Sequence, residues 1–386
     1  MATTNWQTKK LGEVLEYEQP SLYIVNSKNY KDDYETPVLT AGKSFILGKT
    51  KEKNGIFPKD KLPVIIFDDF TTATKFVDFP FKVKSSAMKI LHPVKNISDA
   101  KFLFYLIQNI CFDYTGIHKR YWISEYSKIQ ILLPPLPEQH RIVKILDEVF
   151  ENIGKAKENT EKNLQNTKEL FESYLQGVFA NPGNDWVKRS IQEVSKVING
   201  YAFASKDFKS TNTIKSIKIT NVGVREFIEE TDNYLPEKFK KILRDVQVNE
   251  GNILVALTRT IISAGLKVAV VPKSYDGALV NQRVAALVPN ENIINQRYLY
   301  NFLTSKGVEK YVLAHVNTLM QPNLSINDLK KLSVPCPPLE AQKSIVAKLD
   351  ALSAETKKLE AIYKQKLADL EELKKSILKK AFAGEL

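Results

Sequence analysis

The chain repeats itself. Pro134, Pro135, Leu136, Gln139, Ile142, Val143, Leu146 and Asp147 recur as Pro337, Pro338, Leu339, Gln342, Ile345, Val346, Leu349 and Asp350, each 203 positions further on. The same offset carries Leu164 to Leu367, Glu169-Leu170 to Glu372-Leu373, Ser173 to Ser376, Leu175 to Leu378 and Phe179-Ala180 to Phe382-Ala383. One register therefore holds over 47 positions without a gap, and whatever this segment folds into, the chain must build twice. A second anchor, Trp6 with Glu13-Val14 against Trp186 with Glu193-Val194, lies at an offset of 180, so the second unit holds 23 extra residues ahead of its proline motif. The segment after the motif admits no insertion and the segment before it does. That contrast predicts a spacer of fixed length behind a reader of variable content.

Each proline motif opens a helix. Two prolines hold the preceding chain extended and cannot continue a helix from upstream, and Pro137 suits a first helical turn. Leu349, Thr356, Tyr363, Leu370 and Ile377 then stand seven apart, with Leu352, Leu359 and Leu373 interleaved. The first copy repeats the frame as Leu146, Ile153, Thr160, Thr167 and Tyr174, with Val149, Ala156 and Leu170. A seven-residue seam predicts packing against another long helix, the other copy being the obvious partner. Each helix is expected to run roughly 40 residues, or about 60 Å. Thr160, Asn163, Thr167 and Lys366 interrupt the seam, either as register-setting polar residues or because the seam also meets a third party.

The segments ahead of the helices read as small sheets with long loops. Strands are expected at Pro63–Phe67, Phe81–Lys84, Ser216–Thr220, Asn252–Leu257 and Lys267–Val271, and helices near Ala100–Asn109 and Asn295–Leu303. The predicted fold class is α+β: two mixed recognition domains, 1–133 and 184–336, each followed by a long helix, 134–183 and 337–386.

Charge points to a polyanionic partner: 56 Lys and Arg against 44 Asp and Glu give a formal charge of +12. The loops hold what DNA contact requires. In the first unit the candidates are Lys43, Ser44, Asp69, Thr71, Thr72, Lys75, Lys84, Ser85 and Ser86, then His118, Lys119, Arg120 and Tyr121. In the second they are Thr258, Arg259, Thr260, Asn281, Gln282 and Arg283, then Asn317, Thr318 and Gln321. Hydroxyls and lysines suit phosphates, whereas Asn, Gln and Arg offer bidentate contacts to base edges, and an Asp accepts from a cytosine amino group. Lys82 lies in the same run.

Motifs for chemistry are missing. Gly42-Lys43-Ser44 resembles the end of a phosphate-binding loop, but Pro37 occupies the place of the glycine that loop requires. No Asp-Pro-Pro-Tyr or Asn-Pro-Pro-Tyr, no glycine-rich nucleotide loop, no serine elbow and no metal-ligand spacing of His92, His118, His140 and His315 is present. Asp68-Asp69 can be read as a nuclease pair or as a capped turn, and Phe67 and Phe70 beside them favour the turn. Cys111 and Cys336 have no partner at zinc-ligand spacing, and neither a signal-peptide core nor a long apolar run is seen. These features predict a reduced, cytoplasmic chain with no membrane contact and no bound cofactor.

Leu133-Pro134-Pro135-Leu136-Pro137-Glu138-Gln139 and Pro337-Pro338-Leu339-Glu340-Ala341-Gln342, each opening a long helix, resemble the specificity subunits of type I restriction-modification systems. So do Ile65 to Thr72 and the terminal Ala381-Phe382-Ala383-Gly384-Glu385-Leu386, and the resemblance spans essentially the whole chain; Ala341 departs from it where the first copy has Glu138. The resemblance implies a non-catalytic subunit that binds a bipartite double-stranded DNA target through two target recognition domains spaced by its helices, which pair as an antiparallel coiled coil with pseudo-two-fold symmetry. It implies two methyltransferase subunits that carry S-adenosylmethionine and methylate adenine, and restriction subunits that use ATP and Mg. A scaffolding coiled-coil protein with non-specific DNA binding is the alternative.

Overall fold

A computed structural model describes residues 5–40, 44–110, 120–183, 185–230, 234–316 and 322–386. The chain divides into two compact units, Met1–Lys162 with Lys364–Leu386, and Asn163–Tyr363.

In the first unit β1 (Gln7–Lys10) pairs antiparallel with β9 (Gln130–Leu133), so the segment between them starts and ends at one ribbon. A single turn, α1 (Leu11–Val14), leads to β2 (Leu15–Glu18). An antiparallel sheet runs in the order β2, β8 (Met88–Pro93), β5 (Val64–Asp68), β6 (Thr74–Val77). A second runs β4 (Ile46–Thr50), β3 (Thr36–Leu39), β7 (Lys82–Val83), with β3 and β7 parallel. The helices α2 (Ala100–Gln108) and α3 (Tyr121–Ser124) follow, and then α4 (Leu136–Ala180). Strand β5 reads as unbroken Val-Ile-Ile-Phe because both its faces are covered. Ile65 and Phe67 join the core with Phe102, Leu103, Trp122 and Leu146, while Val64 and Ile66 join one with Leu39, Phe57 and Phe81.

The second unit repeats this topology. The ribbon is β10 (Val187–Ser190) with β20 (Ser333–Cys336). After α5 (Ile191–Val194) the main sheet runs β11 (Ser195–Asn199), β19 (Val284–Pro289), β14 (Ile253–Ala256), β17 (Val268–Val270). The smaller one runs β13 (Tyr234–Leu235), β12 (Ile214–Ile217), β18 (Leu279–Val280), with β12 and β18 parallel. With no counterpart among the described residues of the first unit, this one has a short α6 (Lys238–Ile242), a hairpin of β15 (Ile261–Ile262) with β16 (Gly265–Leu266), and the helix α8 (Lys306–His315). The elements α7 (Gln296–Leu303), α9 (Ile326–Lys331) and α10 (Leu339–Ala383) complete it.

One side chain in each unit joins the recognition segment to its long helix. Gln139, fully buried, accepts from the Asp99 amide (2.8 Å) and donates to the carbonyls of Ile97 (2.9 Å) and Pro134 (2.8 Å). Gln342, equally buried, accepts from the Asn295 amide (2.7 Å) and donates to Ile293 (3.1 Å) and Pro337 (2.8 Å). Asp99 and Asn295 are in turn the N-caps of α2 and α7, each accepting two first-turn amides. Asp147 receives Lys101 (2.7 Å) and Tyr105 (2.6 Å), and Asp350 receives Arg297 (2.7 Å).

Both long helices run 45 residues, close to the expected length of roughly 40. Within the first unit they run antiparallel: Arg141 donates to the Leu386 carbonyl, Phe150 lies under Lys374, and Lys157 pairs with Glu371 at 2.7 Å. Within the second unit Phe179 and Val346 share a core. The seam differs from the expected one. Leu146, Thr160, Thr167, Leu349 and Thr356 are buried as foreseen, but Leu170 (51%), Leu359 (36%) and Leu373 (46%) are exposed, as is Tyr174 (38%). The interleaved Val149, Ala156 and Leu352 are half-buried as expected, and the row one residue later, Phe150, Lys157, Leu164 and Phe171 with Ser353, Glu360, Leu367 and Lys374, is half-buried as well. In the first unit α2 widens the buried face: Phe150 packs edge-on against Tyr105 of α2 and Phe382 against Phe102. Thr160, Thr167 and Thr356 donate to carbonyls four residues back, so their hydroxyls are satisfied without a partner helix. Asn163 and Lys366 are exposed and lie off the seam.

Candidate nucleic-acid interface

In each unit three separate segments meet at the end of the central strand. In the first, the Asp68 carboxylate at the end of β5 accepts from the amides of Phe70 (2.8 Å) and Thr71 (3.2 Å), while the Thr72 amide bonds the Asp68 carbonyl (2.9 Å). This capped turn holds Thr72 at φ +58°, a costly value for a β-branched residue, and leaves Phe70 and Thr71 exposed. The Asp69 amide bonds the Ala87 carbonyl (3.1 Å), bringing in the connector from Lys84 to Ala87, and the Tyr121 amide bonds the Asp69 carbonyl (3.1 Å), bringing in Arg120. Thr71, Lys75, Ser86, Arg120 and Ser44 present exposed polar groups. Lys75 stands 5.7 Å from the Phe45 ring, and the half-buried Lys84 donates to the Tyr30 hydroxyl at 3.1 Å. Ser85 is half-buried and its hydroxyl accepts from the Ala87 amide (3.4 Å).

The second unit assembles the same frame from other side chains. The Leu257 amide after β14 bonds the Arg283 carbonyl (2.9 Å), bringing in Asn281 to Arg283. The Leu324 amide bonds the Leu257 carbonyl (2.8 Å), the Thr260 amide bonds the Pro322 carbonyl (3.0 Å), and the Arg259 amide bonds Asn323 Oδ1 (3.4 Å). Arg259, in the turn corresponding to that of Thr72, also takes a positive φ, +47°. Arg259, Gln282 and Arg283 are exposed, and Thr258 is half-buried. Lys267 donates to the Ile219 carbonyl at 2.8 Å; burial first, and then the neighbouring Arg259 guanidinium, hold its ammonium below the usual range.

Several expectations need correction. Asp69 is 2% exposed: its carboxylate pairs with the equally buried Lys89 (3.4 Å) and accepts from the Trp122 amide (2.8 Å). It positions the Arg120 segment and presents nothing to a base. Asp68 spends its carboxylate on its own turn, so the pair is a capped corner, not a nuclease centre. Tyr121 is buried, packed with the ring cluster beneath the turn. Thr260 is fully buried, its hydroxyl without a hydrogen-bond partner among the described residues. Asn281 is nine-tenths buried and its Oδ1 faces the Arg283 amide (3.4 Å), an adjusting role. Lys82 is 2% exposed, held by Glu52 (3.0 Å) and the Asn54 carbonyl (2.7 Å). Lys43, His118, Lys119, Asn317, Thr318 and Gln321 lie outside the described residues.

Lys267, Tyr201 and Gly200 escape a sequence reading. The Tyr201 amide donates to the Val280 carbonyl (2.9 Å), its carbonyl accepts from the Gln282 amide (3.0 Å), and the residue is 44% exposed. A Cβ on Gly200 would stand 2.1 Å from the Asn281 carbonyl oxygen, so only glycine permits this approach; the Asn199-Gly200-Tyr201 turn was the available signal. Among the described residues no helix is long and apolar enough to cross a membrane.

Comparison with known proteins agrees with this doubled frame. A family model, the type I restriction modification DNA specificity domain, matches residues 3–164 and again 183–371. The chain is 33% identical over 351 residues to the Escherichia coli type I restriction enzyme EcoR124I/EcoR124II specificity subunit, covering 88% of this chain and 85% of that one. It is 25% identical to the MjaVIII specificity subunit of Methanocaldococcus jannaschii, covering 99% and 93%. Among solved structures, a chain from a study of complex assembly and conformational transition in a type I restriction-modification system aligns at TM-score 0.73 and 20% identity, covering 99% and 98%. The HsdS subunit from Thermoanaerobacter tengcongensis aligns at 0.60 and 20%, covering 99% and 97%. The chain belongs to the family of type I restriction-modification specificity subunits.

Proposed function

We propose that this protein reads a bipartite double-stranded DNA site, one half-site per recognition domain (1–133 and 184–336), and directs adenine methylation and restriction carried out by partner subunits. The observation that carries the reading is the frame built twice with different side chains. Thr71 and Ser86 stand in the segments where the second unit offers Arg259 and Gln282-Arg283, and Lys75 and Arg120 add exposed cations in the first unit. Backbone bonds hold both frames, so side chains change without disturbing the fold, which is what two half-sites of different sequence require. The chain itself supplies recognition. S-adenosylmethionine, ATP and Mg belong to the methyltransferase and restriction subunits with which it assembles.

The test is selection of duplexes from a randomised library, repeated with variants. Arg259→Ala with Arg283→Ala relaxes one half-site and leaves the other intact, each bidentate contact contributing about 1–3 kcal/mol of discrimination. Lys75→Ala with Arg120→Ala acts on the opposite half. Equal loss on all sequences, or no sequence preference in the unaltered chain, defeats the proposal in favour of a scaffold with non-specific binding.

A further inference from the structure

We infer that a basic, aromatic-backed face of the second unit grips DNA phosphates flanking its half-site; the inference rests on the reading proposed above. The face starts beside the reading strip. Tyr201 is bonded by its backbone to Val280 and Gln282, and its ring lies 5.1 Å from that of Phe203. Phe203 in turn meets Phe239 of α6 at 5.4 Å and Phe208 at 6.2 Å. Phe239 thus pins α6 to the body of the unit, and the rest of the helix turns outward. Lys238, Lys240, Lys241 and, just beyond, Arg244 are exposed, as is Lys206 on the neighbouring turn. Lys240, Lys241 and Arg244 form no ion pair among the described residues. Nearby carboxylates are fewer: Asp207 is turned back to the Ala204 amide (3.2 Å), leaving Glu237 and Asp245.

The first unit supports a phosphate role. Its connector from β4 to β5 occupies the topological place of the connector from β13 to β14 that contains α6, and it too exposes lysines, Lys51, Lys53 and Lys59. The two connectors differ in sequence and in length, each has a 3-10 turn ahead of the central strand, Lys59–Lys61 and Arg244–Val246, and both expose several cations. A phosphate contact asks for charge and reach, whereas base reading asks for particular side chains. A net-positive patch joined to the reading strip through the rings of Tyr201, Phe203 and Phe239 adds affinity and leaves specificity where it was.

The experiment uses the full chain with Lys240→Ala, Lys241→Ala and Arg244→Ala combined, and a control replacing both lysines by arginine. Binding is measured by fluorescence anisotropy between 50 and 200 mM salt, on a duplex selected by the unaltered chain and on its scrambled counterpart. The triple variant is expected to weaken both duplexes alike, with the slope of log affinity against log salt reduced by about 2.7, roughly 0.9 for each phosphate no longer neutralised. The arginine control keeps the slope. An unchanged slope overturns the inference, and so does loss confined to the selected duplex. Intact DNA affinity with lost binding of a methyltransferase subunit assigns the face to protein and also overturns it. If the unaltered chain prefers no duplex, base reading fails, yet the change in slope still decides whether this face holds phosphate.

Discussion

Asp69 shows how a residue suited to contact a base is instead consumed by the fold. A buried carboxylate is tolerable only with a counter-charge and hydrogen bonds, and Lys89 with the Trp122 amide supplies both. Removing one partner strands the other in the core. Asp69→Ala is therefore expected to cost about 3–5 kcal/mol of stability in urea unfolding, while Asp69→Ala combined with Lys89→Met recovers most of it. If single and double variants lose equally, the pair contributes only local packing. Lys89 stands twenty residues from Asp69 and looks in sequence like one more surface lysine. Only the pairing of β5 with β8 brings it beneath the turn, so no local pattern announces that Asp69 points inward. Arg259, Gln282 and Arg283 are exposed as their length and charge lead one to expect, whereas the shorter Thr260 and Asn281 in the same segments are buried.

At the scale of elements, strands and helices with unbroken apolar runs stood out. The expected Pro63–Phe67, Asn252–Leu257 and Ala100–Asn109 appear as Val64–Asp68, Ile253–Ala256 and Ala100–Gln108. The frame of the long helices was half legible. The seven-residue spacing fixed the row from Leu349 to Ile377, but which neighbour completes the buried stripe depends on a third helix, and α2 draws Phe150 inward. The paired glutamines were visible in the repeat as identical letters, and their three bonds each were not. Replacing Gln139 or Gln342 by Leu keeps the volume and leaves an amide and two carbonyls without partners, each costing about 1–3 kcal/mol if water cannot reach it. Either variant is expected to lose at least about 2 kcal/mol, and by a similar amount, since the two sites are bonded alike. A loss at one site alone, measured by denaturant unfolding of the full chain, would show that the two joints are not equivalent.

For the molecule as a whole, the informative number is the absence of any insertion across helices of 45 residues, set against 23 extra residues in one recognition segment. A packed seam alone would tolerate added heptads, so strict length suggests that something outside the chain is measured, and the proposed function names the gap between half-sites. Lys157 meets Glu371 within the first unit, which locates matched points for lengthening both helices. Seven residues inserted after Ala156 and seven after Leu370 preserve the heptad frame and add about 10 Å to each helix, near three base-pair steps of about 3.4 Å. Four residues in one helix alone shift its frame by about half a heptad and force the seam to repack. The double insertion is expected to select the same two half-site sequences separated by a longer gap, read from methylation patterns in cells that also carry the partner subunits. The single insertion is expected to lose tight binding. If the double insertion works at the original gap, the helices do not measure DNA. Their fixed length must then answer to the subunits that dock on them.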